Sequence, residues 1–88
     1  RASDEHLALQ LVSARVSRVE VKSEIPGKVI RIEVGVGDSV AEDDALMMVE
    51  SMKMEIPIPA PIGGKVVEIL VADGEVLTEG QVVARLEV

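Results

Sequence analysis

"PGKVIRIEVGVGDSVAEDDALMMVE", Pro26 to Glu50, aligns with "GGKVVEILVADGEVLTEGQVVARLE", Gly63 to Glu87, at a shift of 37 residues. Eight of the 25 aligned positions are identical. They pair Gly27 with Gly64, Lys28 with Lys65, Val29 with Val66 and Ile32 with Ile69. They also pair Val34 with Val71, Gly37 with Gly74, Glu42 with Glu79 and Glu50 with Glu87. Most other positions exchange like for like. A self-match of this kind implies two copies of one small unit. Two copies are too few for a solenoid, so they are expected to pack on each other around one shared core.

Each copy reads as β structure. In "KVIRIEV", Lys28 to Val34, Ile30, Ile32 and Val34 alternate with Arg31 and Glu33, the period of a half-buried strand. Sixteen valines and seven isoleucines dominate the apolar inventory. Branching at Cβ stiffens these side chains and suits a pleated sheet. Pro26-Gly27 and the glycines at 35 and 37 mark turns.

The 88 residues correspond to one domain. A net charge of −7 argues against a nucleic-acid partner, because binding phosphates needs a basic surface. Phe, Tyr and Trp are absent, so no base-stacking platform exists. There is no cysteine and hence no disulfide or thiolate site. No apolar run reaches the length of a membrane span, and no signal peptide is visible. These features fit a cytoplasmic, membrane-free chain. A start at Arg1 reads as a fragment or a processed product.

The flank "RASDEHLALQLVSARVS" stands apart. Leu7, Leu9 and Leu11 alternate like a strand face, whereas Leu7, Leu11 and Ala14 would line a helix capped by Ser3 or Asp4. Both readings stay open, as does a linker remnant. His6, the one histidine, reads as a solvated side chain. The expected division is therefore an extension over 1–18 and a domain over 19–88.

Between the copies lies "VESMKMEIPIP", Val49 to Pro59. It joins strand "ALMMVE" to strand "EIPIPA" so tightly that a β-hairpin is expected, with Lys53 displayed at its turn. Pro57, Pro59 and Pro61 fall at every second position. One side of that strand thus lacks N–H donors, which predicts an edge strand closed to further pairing. A lysine at a turn offers a mobile amine on a four-carbon stem. Its neighbours Met52 and Met54 would be exposed there, without a folding role. Gly37 and Gly64 flank the hairpin in sequence and are expected to shape its backbone surroundings. Asp38, Glu42, Asp43 and Asp44 form an acidic run without EF-hand spacing, and read as a solvated turn. Met47 or Met48 is expected to fill the core. No acid–base pair or nucleophile–base pair is visible, so no catalytic residue and no metal site is expected.

"ESMKMEIPIPAPIGGKV", with the looser "GDSV" and "DGEVLTEGQVV", resembles the biotinyl domains of biotin carboxyl carrier proteins, in the biotin/lipoyl-attachment family. The resemblance covers about residues 19 to 88. It implies an all-β fold: a flattened barrel or sandwich of two four-stranded antiparallel sheets with internal pseudo-two-fold symmetry, the barrel-sandwich hybrid. No extra segment lies between Gly27 and Asp38, so the thumbless kind is implied. Asp43 stands where the family usually has Gly, whereas the second copy keeps Gly80. Modest strain is expected at Asp43 rather than a changed fold.

The resemblance also implies function. Lys53 maps onto the lysine that biotin protein ligase acylates with biotin. Met52 and Met54, with Glu50 and Ser51, would be recognised by that ligase. Related lipoyl domains usually carry Asp-Lys-Ala, so the methionines favour biotin over lipoate. The biotin would swing between a biotin carboxylase and a carboxyltransferase, and the domain, a monomer when isolated, would itself be non-catalytic. Three other readings stay open: a free-standing biotinylated protein, a lipoyl carrier domain of a 2-oxo acid dehydrogenase, and a structural module that is never modified.

Overall fold

A computed structural model describes residues 17–88. The expectations for the N-terminal segment, including His6, fall on residues 1–16 and lie outside the described residues. Eight strands follow in chain order. They are β1 (Arg18–Lys22), β2 (Gly27–Ile32), β3 (Ser39–Val40), β4 (Ala45–Ser51), β5 (Met54–Pro59), β6 (Gly64–Ile69), β7 (Val76–Leu77) and β8 (Val82–Glu87). β1 starts one residue before the expected boundary at Val19, with Arg18 paired to Glu87.

The strands form two four-stranded antiparallel sheets, ordered β1-β8-β6-β3 and β5-β4-β2-β7. The shift of 37 residues carries β2 onto β6, β3 onto β7 and β4 onto β8, and it also relates β1 to β5. The same operation exchanges the two sheets. Each copy supplies the two central strands of one sheet and both edges of the other, so the copies interlock through hydrogen bonds.

Turn hydrogen bonds obey the same symmetry. Gly37 N–H donates to the Val66 carbonyl, and Gly74 N–H to the Val29 carbonyl, both at 2.7 Å. Ser23 N–H donates to the Gln81 carbonyl at 2.9 Å, and Ala60 N–H to the Asp44 carbonyl at 2.8 Å. Asp38 Oδ2 accepts from Gly35 N–H at 2.8 Å, while Glu75 Oε1 accepts from Ala72 N–H at 3.2 Å. Likewise Asp44 Oδ2 accepts from Ala41 N–H and Gln81 Oε1 from Thr78 N–H. The acidic run at Asp38 to Asp44 therefore contains two turn-closing carboxylates.

Alternation along the strands sends Val29, Met47 and Val49 inward from one sheet, and a register shift between Ala45 and Met47 buries Leu46 beside them. Val66, Val83 and Leu86 meet them from the other. Burying a side chain of this size contributes roughly 1.5–3 kcal/mol. Met47 is fully buried and Met48 only half-buried, so Met47 is the core filler.

Two positions need glycine for space. A Cβ on Gly27 would lie 2.6 Å from the Glu50 carbonyl oxygen and 2.5 Å from Val49 Cγ1. A Cβ on Gly64 would lie 2.7 Å from the Glu87 carbonyl oxygen and 3.0 Å from Val88 Cγ1. Asp43 takes a left-handed φ of 72°, and its counterpart Gly80 has φ 85°. The fold thus keeps the turn conformation and places the less suited residue in it.

Gly27→Ala is expected to lower unfolding free energy by about 2 kcal/mol, because backbone must move to admit the methyl. Gly35→Ala should change it by less than about 0.5 kcal/mol, since its nearest heavy atom is 3.8 Å from an added Cβ. Urea titrations of the two variants, compared at their midpoints, check the contrast.

Candidate functional site

The β4–β5 hairpin closes with Ser51 opposite Met54. Only Met52 and Lys53 lie between them, with φ of 52° and 66°. A two-residue connection with both central residues left-handed is a type I′ turn, whose twist matches that of its strands. Such turns favour Asn-Gly or Asp-Gly, and here two long side chains occupy them instead. Each left-handed L-residue costs roughly 1–2 kcal/mol. The hairpin ladder below the turn holds this conformation in place.

The symmetry gives the turn a distinctive location. At the other end of the sandwich, Val88 N–H donates to the Ser17 carbonyl at 2.9 Å. Ser17 and Val88 are the counterparts of Met54 and Ser51. The hairpin turn therefore corresponds to the gap between the first and last described residues. One end of the sandwich presents Lys53 and the other holds Ser17 and Val88.

Lys53 is exposed, and among the described residues it forms no ion pair. Met52 is 92% and Met54 62% exposed, so neither contributes to the core. Ser51 is half-buried below the turn. Glu50 and Glu55 face each other across the hairpin. Arg31 reaches Glu55 at 3.5 Å and Glu33 at 2.6 Å. The Glu33 hydrogen bond and charge, followed by Glu55, raise the Arg31 pKa further, so it remains a cation. Lys28 pairs in register with Glu50. The amine thus stands above a surface of mixed charge.

The placement of Gly37 and Gly64 differs from the expectation. Gly64 packs against Glu87 and Val88, at the end away from the hairpin. Gly37 binds Val66 on the same sheet. Of their symmetry mates, Gly74 bonds to Val29 of the hairpin sheet, and Gly27 lies in that sheet and packs against Val49 and Glu50 just below the turn. Proximity in sequence misleads here because the copies interlock, sending β6 into the opposite sheet. Only the three-dimensional exchange of strands identifies Gly27.

β5 is an edge strand, as the prolines predict. Ala60 N–H points towards β4 and donates to Asp44, so the alternate Pro57 and Pro59 turn their missing donors outward.

The outer faces of the two sheets have diverged. Arg85 bridges Glu20 and Glu68 across three strands of one sheet. A hydrogen bond and the charge of Glu68, then those of Glu20, raise its pKa further. The corresponding positions on the hairpin sheet are Met48, Pro57 and Arg31. On the sheet bearing the lysine, apolar side chains fill two of the three positions, and Arg31 instead reaches across β4 to Glu55 on β5. Among the described residues no cluster of potential metal ligands occurs, and no helix is long and apolar enough to cross a membrane.

Residues 19–86 match the family described as "Biotin-requiring enzyme", which groups biotin- and lipoyl-bearing domains. The chain belongs to this family. A comparison with curated protein sequences finds no match. Among solved structures, the chain is similar to urea carboxylase of Kluyveromyces lactis, with 31% identity and a TM-score of 0.76 over 80% of the chain. It is also similar to a single-chain, multi-domain long-chain acyl-CoA carboxylase, with 24% identity and a TM-score of 0.73 over 77% of the chain. The second likeness shows the fold. The chain spans only 6% and 7% of the lengths of these two proteins. The fold and family are those of the biotin/lipoyl-attachment domains, which bear biotin or lipoate covalently on a lysine.

Replacing Lys53 with glycine should relieve one strained position. After allowing for the greater freedom of glycine in the unfolded chain, Lys53→Gly is expected to raise unfolding free energy by about 0.5–1 kcal/mol. Chemical denaturation of the variant beside the parent chain checks this. A fall in stability would mean that the turn is not held in the left-handed region.

Proposed function

We propose that Lys53 carries biotin through an amide on its Nζ, attached by a biotin protein ligase, and that the domain serves as the carboxyl carrier of a biotin-dependent carboxylase. The observation that carries this reading is the turn itself. An exposed lysine occupies the second position of a strained two-residue turn, at the end of the sandwich opposite Ser17 and Val88. That placement leaves the amine free to enter a deep active site with the body of the sandwich held behind it.

The residues present fit biotin. Lys53 is exposed at the turn, and among the described residues no cluster of potential metal ligands occurs. Acylation removes the lysine charge and lengthens the tether. The cofactor, once bound, supplies the capacity to accept and release a carboxyl group. The chain's own residues position the arm and identify it. The hairpin ladder holds the attachment point, while Gly27 lets β2 approach β4 closely beneath it. Met52 and Met54 present apolar surface on either side of the amine for the ligase to read, with Glu50 and Ser51 at the base of the turn. The domain contributes no acid, base or nucleophile of its own to the reaction. A tether confines biotin near the carboxylase and the carboxyltransferase, raising its effective concentration at both.

Biotin is favoured over lipoate by the methionines beside Lys53 and by the likeness to urea carboxylase at 31% identity. Residues 19–88 form the biotinyl domain in this reading, and 1–18 an extension.

The test is co-expression with a biotin protein ligase, followed by intact mass measurement and streptavidin binding. One biotin per chain is expected. Lys53→Arg should abolish both signals, although Lys22, Lys28 and Lys65 remain exposed on their strands. Retained biotin in that variant would overturn the assignment. A lipoyl adduct formed in preference by a lipoate ligase would overturn the choice of cofactor.

A further inference from the structure

We propose that Met52 and Met54 form a peroxide-sensitive modification site, whose conversion to sulfoxides blocks acylation of Lys53. The inference rests on the reading of Lys53 as the ligase target and goes beyond it.

The chain has four methionines, and the fold divides them sharply. Met47 has no exposed surface, whereas Met52 is 92% and Met54 62% exposed. Met48 is half-buried on the outer face of the hairpin sheet. Oxidation of methionine follows access to the sulfur. The two most accessible thioethers are the immediate neighbours of the amine to be modified. Neither packs in the core, so their oxidation leaves the fold intact. Oxidation of Met47 requires unfolding.

The chemistry needs only a peroxide. A sulfur lone pair attacks one peroxide oxygen, the S–O bond forms and the O–O bond breaks. Sulfur loses two electrons, and the other oxygen leaves as water with both protons. The product replaces a flexible apolar side chain with a polar, chiral one. A partner that reads two apolar side chains beside Lys53 then meets two new acceptors that it cannot satisfy. Disulfide-forming reduction by a thiol-dependent methionine sulfoxide reductase returns the thioether and releases water, so the block is reversible.

The experiment uses the unacylated 88-residue chain, dilute hydrogen peroxide and a biotin protein ligase. Peptide mass mapping should show one added oxygen on each of Met52 and Met54 before any on Met47. The initial acylation rate should then fall about tenfold or more, while the thermal midpoint stays unchanged. Treatment with methionine sulfoxide reductases should restore the rate. A small amine-reactive ester should label Lys53 equally before and after oxidation, which separates lost recognition from a hidden amine. An unchanged ligase rate after complete oxidation of both residues would overturn the proposal alone. A loss of rate that the reductases do not reverse would also overturn it. If the ligase leaves even the unoxidised chain unmodified, the reading of Lys53 fails and this proposal fails with it.

Discussion

Neither half of this chain can complete a sheet alone, and the rest of the structure depends on that constraint. Each copy provides the central pair of one sheet and the two edges of the other. Backbone groups on β2 and β4 find partners on β7 and β5, while those on β6 and β8 find them on β3 and β1. Unpaired backbone groups in an interior are costly, so the two copies must order together. Interlocking also brings the apolar faces together, with Leu46, Met47 and Val49 from one copy against Val66, Val83 and Leu86 from the other.

The same symmetry explains how the two ends come to differ. The two ends of the sandwich begin as equivalent, then differ by a single covalent fact. At one end the chain continues through Met52 and Lys53, and at the other Ser17 and Val88 pair without a turn between them. A two-residue link between β4 and β5 forces a left-handed pair, since types I and II would splay the strands. The strain is confined to two residues whose side chains have no packing duties. Lys53 thus has its backbone set by the paired strands and its side chain exposed. That combination suits an attachment point that must be recognised in one place and reach into another.

Charge differences between the copies lie outside the core, whereas inside it the paired residues differ in size, as at Met47 and Ala84, and in polarity at Ser23 and Ala60. Where the first sheet has Glu20 and Arg85, the hairpin sheet has Pro57 and Met48. Arg85 ties three strands together through exposed carboxylates, and each such exposed pair contributes little to stability. Their loss on the other sheet is therefore tolerable. The conformationally demanding turns stay symmetric, with Gly37 matched by Gly74 and Asp43 by Gly80 in the left-handed region.

Much of this was legible in the residues themselves. Alternating Val and Ile disclosed strands, the repeat of 37 residues disclosed two units, and alternate prolines disclosed that β5 is an edge. "ESMKME" between the copies disclosed a hairpin with Lys53 at its turn, because all of these are local patterns of period or spacing. Tertiary structure alone decided which strands exchange between sheets, since hydrogen-bond partners far apart in sequence leave no periodic trace. For that reason Gly64, eleven residues beyond the lysine, supports the remote end, and Gly27 supports the hairpin. The type I′ turn was equally hidden, because Met-Lys carries none of the glycine or asparagine that normally marks it. Its left-handed backbone is imposed by the twist and register of the two strands, a property of the assembled sheet rather than of the two residues.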